Sequence, residues 1–328
     1  MARILVTGGT GFNGTNLVRA LLERGDSVRV LARDRSNKSV LKDLECEFLK
    51  GDILDKESVT RAVKNCDLVF HLAALVAYWK AHGSDVYKVN VEGTRVVIEA
   101  CLREGVPRVV HTSSVSAIGI PRQGSIATEE TEFDARGKTV AYSDSKRISE
   151  IIVRNAVKRG LNAVIVNPAQ IIGRGDHGLY MGSVVQSFKR GHVRAVPSGG
   201  ICMVDVDAVV QGQLGAAEKG RIGERYILGG ENLSYLKIAG ILAEITGREA
   251  PRMILPSWLL KPSALVVDVC NQFSKQIPTI CGEHVRLGSV QLYYDSGKAI
   301  SELGYPLLGF RSAMIKAYEW YLENGYIQ

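Results

Sequence analysis

Short apolar, β-branched runs alternate with longer amphipathic segments through the first two-thirds of the chain. Runs at Arg3–Thr7, Ser27–Ala32, Glu45–Leu49, Leu68–His71, Arg108–Thr112 and Ala163–Asn167 predict strands. Between them, apolar positions at helical spacing in Asn13–Arg24, Lys56–Lys64, Val86–Glu104 and Tyr142–Lys158 predict helices. Strand–helix units in this order close most readily as a parallel sheet with helices on both faces, so the expected class is a doubly wound α/β fold. After Asn167 the rhythm weakens. Gly173–Gly200 reads as a glycine-rich loop, a helix pattern follows Asp207, a strand covers Arg225–Leu228, and helices follow Ser234, Pro256, Ser296 and Phe310. The expected division is a nucleotide-binding domain over residues 1–170, with elements around 204–230 returning to it, and a smaller substrate-binding lobe over 171–328.

Composition narrows the function classes. With 328 residues, 46% hydrophobic and 23% charged, the chain has ample material for a core and none of the bias of a disordered or fibrous protein. The net charge of +7 is spread among acids, as in Glu23-Arg24 and Lys42-Asp43, and no basic run with interleaved aromatics points to nucleic acid. Six cysteines, Cys46, Cys66, Cys101, Cys202, Cys270 and Cys281, form no C-x-x-C pair and read as buried thiols of a reducing compartment. The chain passes from Met1 into a strand pattern without a leader-like segment, so a cytoplasmic location is expected. The most apolar late stretch, Trp258–Cys270, is broken by Lys261, Pro262 and Asp268 and is too short to span a bilayer. It is suited to lining an apolar pocket or touching a membrane surface. The six histidines make no metal-ligand spacing, and no metal site is expected.

The first chemical motif is Thr7-Gly8-Gly9-Thr10-Gly11-Phe12-Asn13-Gly14, between the first strand and the first helix. Glycines at 8, 11 and 14 let the backbone turn sharply and approach a pyrophosphate, while the helix start offers unpaired N–H groups. Gly51-Asp52-Ile53 follows the third strand, where Asp52 could accept from an adenine amine or simply close a turn. His71-Leu72-Ala73-Ala74 ends the fourth strand in small residues that leave room for a cofactor or merely pack. Tyr142 and Lys146 stand four apart on a predicted helix, hence on one face, and a neighbouring ammonium favours a tyrosinate. Tyr294 and Lys298 repeat that spacing but follow no serine-ended strand, and Tyr294 reads as a residue leading into a helix. Ser114, at the end of Thr112-Ser113-Ser114, is placed to donate to a substrate carbonyl, with Ser113 and Ser116 as rivals.

Taken together, the glycine turn, Asp52, Asn90 in Val89-Asn90-Val91-Glu92-Gly93-Thr94, the Thr112-Ser113-Ser114 strand end, Tyr142-Ser143-Asp144-Ser145-Lys146 and Asn167-Pro168 occur in the order seen in extended short-chain dehydrogenases/reductases. The resemblance runs along nearly the whole chain. Within that family the sequence looks most like the dihydroflavonol-4-reductase-like group, especially bacterial members labelled hopanoid-associated sugar epimerases. It implies a Rossmann sheet and a catalytic set of Ser114, Tyr142 and Lys146. It also implies that Phe12 and Asn13 offer backbone N–H groups to the pyrophosphate, that Asp52 and Ile53 hold adenine, and that Asn167 and Pro168 border the nicotinamide. Gly8, Gly11, Gly14, Ala73 and Thr112 complete the implied cofactor site, and pairing through helices Val86–Glu104 and Tyr142–Lys158 implies a homodimer. Two positions depart from the family pattern: Asn13 replaces an apolar residue, and Val-His-Val-Asp-Asp becomes Val204-Asp205-Val206-Asp207-Ala208, in which Asp207 is the expected helix cap. At the end of the second strand the acid of NAD-preferring members gives way to Ala32, followed by Arg33, which points to NADP. The implied reaction is reduction of a small-molecule carbonyl or oxidation of the alcohol, with sugar epimerisation and a non-catalytic NADP-binding role as alternatives.

Overall fold

The computed structural model describes residues 1–77, 83–122, 124–133, 140–272 and 282–327. Its larger sheet is built from β1 (Arg3–Thr7), β2 (Ser27–Ala32), β3 (Glu47–Lys50), β4 (Leu68–His71), β5 (Arg108–Thr112) and β6 (Ala163–Pro168), and from a strand supplied later by the chain. Between them run α1 (Phe12–Glu23), α2 (Lys56–Val63), α3 (Gly83–Tyr87), α4 (Gly93–Arg103) and α5 (Ala141–Lys158). The second half contains β7 (Gln170–Ile172), α6 (Gly182–Lys189), β8 (Ala195–Pro197), β9 (Gly200–Asp205), α7 (Val206–Lys219) and β10 (Arg225–Leu228). It continues through β11 (Glu231–Ser234), α8 (Tyr235–Thr246), β12 (Met253–Leu255), α9 (Ser257–Gln272), α10 (Gly282–Leu287), β13 (Gln291–Leu292), α11 (Gly297–Leu303) and α12 (Phe310–Glu323).

Seven strands in the order β10-β6-β5-β4-β1-β2-β3, all parallel, form the Rossmann sheet. The order reverses between β1 and β4, and Thr7 pairs in register with His71 there, so the crevice that open α/β sheets use for ligands lies beyond these two residues. Alternate side chains feed two cores, as a strand's period of two requires. Ile4, Val6, Val30, Val110 and Val164 belong to one, and Leu5, Val69, Val109, Ala163 and Ile165 to the other, beneath α4 and α5. A second sheet sets β9 at its centre beside β7, β11 and β13. β8 pairs with β12, and a third core of Phe188, Leu233, Leu242, Phe310 and Tyr321 lies beneath α6, α8 and α12.

Four expectations meet corrections. Gly173–Gly200 is not all loop, because Val185 and Phe188 bury one face of α6 and Val196 is buried in β8. Val86–Glu104 is not one α-helix, since Lys88–Glu92 forms a π turn between α3 and α4. Asp205, not Asp207, caps α7: its carboxylate accepts from the Asp207 N–H at 2.8 Å, while Asp207 pairs with Lys316 at 3.0 Å. Cys66, Cys101 and Cys202 are buried free thiols, but Cys46 is only half-buried, and Cys281 lies outside the described residues. Among the described residues, no helix is long and apolar enough to cross a membrane.

Candidate active site

The glycine turn is built for backbone approach. Gly8 has φ +75°, and a Cβ there would lie 2.7 Å from the Ala73 nitrogen, so the first turn and the end of β4 are in direct contact. A Cβ on Gly14 would sit 2.1 Å from the Gly8 carbonyl oxygen. The Gly11 N–H donates to that same oxygen at 3.0 Å, which closes the loop and leaves the N–H groups that open α1 at Phe12 and Asn13 directed out of the helix. The Asn13 Oδ1 is buried and has no hydrogen-bond partner.

Around the neighbouring strand ends the residues expected from the sequence to meet a cofactor are held by their own backbone. The Asp52 carboxylate accepts from the Leu54 N–H at 3.0 Å in an Asx turn, and the Ser58 hydroxyl donates to the Asp52 carbonyl. Ile53 buries its side chain against the site where Gly93 lacks one: a Cβ on Gly93 would meet Ile53 Cδ1 at 2.4 Å. At the end of β2, Ala32 is buried and Arg33 is exposed, its backbone closing a turn with Ser36. Asp34 turns to Lys50 at 2.5 Å.

The candidate catalytic groups converge where β5 ends. Ser114 leaves the strand in extended conformation, and its hydroxyl oxygen accepts from the Ser116 N–H at 3.2 Å, capping the short turn Val115–Ala117. α5 packs on this turn. Tyr142 stands in the first turn of α5, buried, with Lys146 one turn on and also buried. The Lys146 ammonium donates to the Thr112 carbonyl at 2.9 Å, and burial holds its pKa down at about 8. The Thr112 side chain faces the other layer, where it accepts from Gln213 at 3.0 Å.

Three buried side chains tie this corner together, and sequence reasoning gave two of them no role. Asn167, at the end of β6, donates to the Ser114 carbonyl at 2.8 Å and to Glu150 at 2.6 Å, and Glu150 in turn faces Arg225 of β10 at 3.5 Å. Glu150 lies one helical turn beyond Lys146, a spacing visible in the sequence, but its partners come from strands far along the chain. In the π turn, Asn90 holds both the Leu75 N–H and carbonyl and donates to the Ser145 hydroxyl at 3.0 Å. That turn releases the Asn90 carbonyl to accept from Thr94 and from Ser149 of α5. Beneath Lys146, His71 contacts Thr7 at 2.7 Å and Thr94 at 3.1 Å, and its ring lies 5.3 Å from that of His111. Burial, with Lys146 nearby, drives the His71 pKa to about 3 and His111 well below its usual value, so both rings are neutral at physiological pH.

Tyr294 does not lead into a helix. It pairs as an isolated bridge with Ala127, its hydroxyl donates to the Gly119 carbonyl at 2.9 Å, and α11 begins only at Gly297. Lys298 pairs with Glu224 at 2.6 Å.

The profile of the NAD dependent epimerase/dehydratase family matches residues 4–229, from β1 through the strand that completes the larger sheet. The chain belongs to that family. It is 35% identical to the putative dihydroflavonol 4-reductase of Synechocystis sp., covering 98% of this chain and 95% of that protein. It is 36% identical to sterol demethylase protein B of Methylococcus capsulatus, over 98% of this chain and 99% of that protein. The crystal structure of the dTDP-glucose 4,6-dehydratase DesIV from Streptomyces venezuelae, with NAD and TYD bound, superposes with a TM-score of 0.80 at 25% identity, covering 99% of each chain.

As an epimerase/dehydratase-family enzyme the chain is expected to hold a nicotinamide dinucleotide, and its residues fit one. The cradle at Gly8 and Gly14 has no room for a side chain, and the first turn of α1 presents backbone donors beside it, the arrangement a pyrophosphate requires. Ala73 borders the cradle, and Asn167 and Pro168 close the β6 end. Asp52 is engaged with its own turn but keeps a second carboxylate oxygen for a ligand amine.

Proposed function

We propose that this enzyme interconverts a small-molecule carbonyl and its alcohol, with NADP(H) as cofactor and Ser114, Tyr142 and Lys146 as the catalytic set. The observation that carries the reading is the buried Tyr142–Lys146 face of α5, fastened through Lys146 to the Thr112 carbonyl two residues before Ser114. When bound, the nicotinamide supplies or accepts hydride. Tyr142 passes the proton to the nascent alkoxide, Ser114 donates a hydrogen bond to the same oxygen, and the Lys146 ammonium lowers the energy of the tyrosinate left behind. Burial keeps competing water from that proton.

Two features support reduction over dehydration of a sugar. Sugar dehydratases of the family resembled carry an Asp-Glu pair beside the serine position, whereas Ser114 is followed by Val115-Ser116-Ala117. The first relative named above is called a reductase. Exposed Arg33 beside buried Ala32 supports NADP, because no acid at Ala32 opposes a 2′-phosphate and a guanidinium can pair with it. Residues 171–328 are proposed as the substrate lobe, and α4 and α5 as the faces of a homodimer, which light scattering tests directly.

The deciding experiment mixes the purified enzyme with NADPH and a panel of aldehydes and ketones. Stoichiometric NADPH consumption supports the reductase. Conversion of a nucleotide sugar without net consumption would replace it with epimerisation, and inertness towards both classes with a non-catalytic role.

A further inference from the structure

Helix α9 is amphipathic in the reverse sense. Leu260 and Ala264 are buried, and Asp268 takes the Gly282 N–H at 2.9 Å and Arg286 at 3.0 Å, so its inward side is anchored on α10. The outward side carries Trp258, Leu259, Pro262, Leu265, Val266 and Val269, all exposed. At about 100° per residue these six fall within an arc of roughly 120°, and none is polar. Trp258 is 73% exposed, Leu265 65% and Val266 61%, and Met253 and Ile254 of the preceding strand are exposed as well. A face of this kind on a convex helix has no polar residue of its own to justify its contact with water.

Its flank is basic. Arg248 donates to the Lys189 carbonyl at 2.8 Å, which sets the end of α8 beside the end of α6. Met253 pairs in register with Ala195, which sets Arg252 beside Arg194. Arg190, Arg194, Arg248 and Arg252 are all exposed, with Glu249 as the acid within Arg248–Arg252. Isologous pairing of two copies would bring two such arginine-bearing surfaces together, setting guanidiniums of both copies in one interface. Anionic headgroups meet them, and an indole with aliphatic neighbours suits the interfacial zone below.

We propose that the outward face of α9 and its arginine flank form a peripheral docking surface for a bilayer containing anionic phospholipid, with Trp258, Leu265, Val266 and Val269 entering the interface. The surface is independent of the reaction assigned above.

Flotation with vesicles of phosphatidylcholine alone, and of phosphatidylcholine mixed with phosphatidylglycerol, tests it. The full chain is expected to bind the mixed vesicles at least about tenfold better, with the difference shrinking in high salt, and brominated acyl chains are expected to quench tryptophan emission. Trp258→Ser combined with Val266→Ser should lower binding by roughly tenfold or more and remove the quenching while nucleotide affinity stays unchanged. Arg194→Glu with Arg252→Glu should abolish the preference for anionic lipid. Failure to bind either vesicle would overturn the proposal, as would binding untouched by both double variants. An oligomer in light scattering that dissociates in the Trp258→Ser, Val266→Ser variant would also overturn it, by assigning the face to a second copy.

Discussion

Lys146 donates its buried ammonium to the backbone carbonyl of Thr112 at 2.9 Å, so the helix that carries Tyr142 is pinned to the strand end that carries Ser114. The bond joins residues 34 apart in the chain. It leaves the ammonium in an environment that penalises charge, and burial lowers its pKa from 10.5 to about 8.

That shift has a pH signature. Between pH about 8 and 10.5 the unfolded chain holds a proton on this lysine that the folded chain has released, so this residue's contribution makes stability rise with pH across the window. Lys146→Met should remove that component. Measured without cofactor from pH 7 to 10.5, the wild-type denaturant midpoint is expected to rise relative to that of Lys146→Met as pH increases; a difference that stays constant with pH would contradict the lowered pKa.

The glycine cradle separates room from flexibility. Gly14→Ala drives a methyl group into the Gly8 carbonyl oxygen, and we expect a loss of roughly 1–3 kcal/mol in stability and at least tenfold in nucleotide affinity. Gly240→Ala, in α8 with nothing within 4 Å, is the control and should stabilise by about 0.5–1 kcal/mol with affinity unchanged. Chemical denaturation and calorimetric titration check the pair.

Glu150 offers a test of the frame behind the site. Its carboxylate, buried between Asn167 and Arg225, accepts a charge-assisted hydrogen bond, and Glu150→Ala should cost about 1.5–3 kcal/mol while loosening the Asn167 side chain that supports Ser114. Turnover should fall with nucleotide affinity nearly intact. Wild-type turnover in a folded variant would remove Glu150 from the positioning of Ser114.

The proposed preference for NADP rests on Arg33. NADPH should bind at least about tenfold more tightly than NADH, the scale of one charge-assisted contact, and Arg33→Ala should narrow the gap. Equal affinities in the wild type, measured by calorimetry, would reject the NADP assignment.

Much of this architecture was legible because parallel strands are buried on both faces and read as short β-branched runs. The bounds of β1, β2, β4, β5 and β10 coincide with the predicted runs for that reason. The second half was harder. α6 spans only Gly182–Lys189 amid glycines, too short for periodicity to stand out, and β8 exists through its pairing with β12 far along the chain. Local spacing also misled at Tyr294 and Asp207, whose surroundings are set by Gly119, Ala127 and Lys316. The site divides in the same way. The glycine turn and the Tyr142–Lys146 pair are local patterns, whereas the Asn167–Glu150–Arg225 chain and the tilted contact of His71 with His111 arise only when β4, β5, β6, β10 and α5 are brought together.

The central claim is that Tyr142 handles the proton, and the turnover of Tyr142→Phe tests it most directly, with Tyr294→Phe as control. Once a carbonyl substrate is in hand, Tyr142→Phe should bind NADPH normally and lose roughly 100-fold or more in turnover, the scale of a lost general acid. Tyr294→Phe removes the hydroxyl that donates to the Gly119 carbonyl and should keep its turnover at a cost of about 1 kcal/mol in stability. A Tyr142→Phe enzyme that turns over at the wild-type rate would contradict the account.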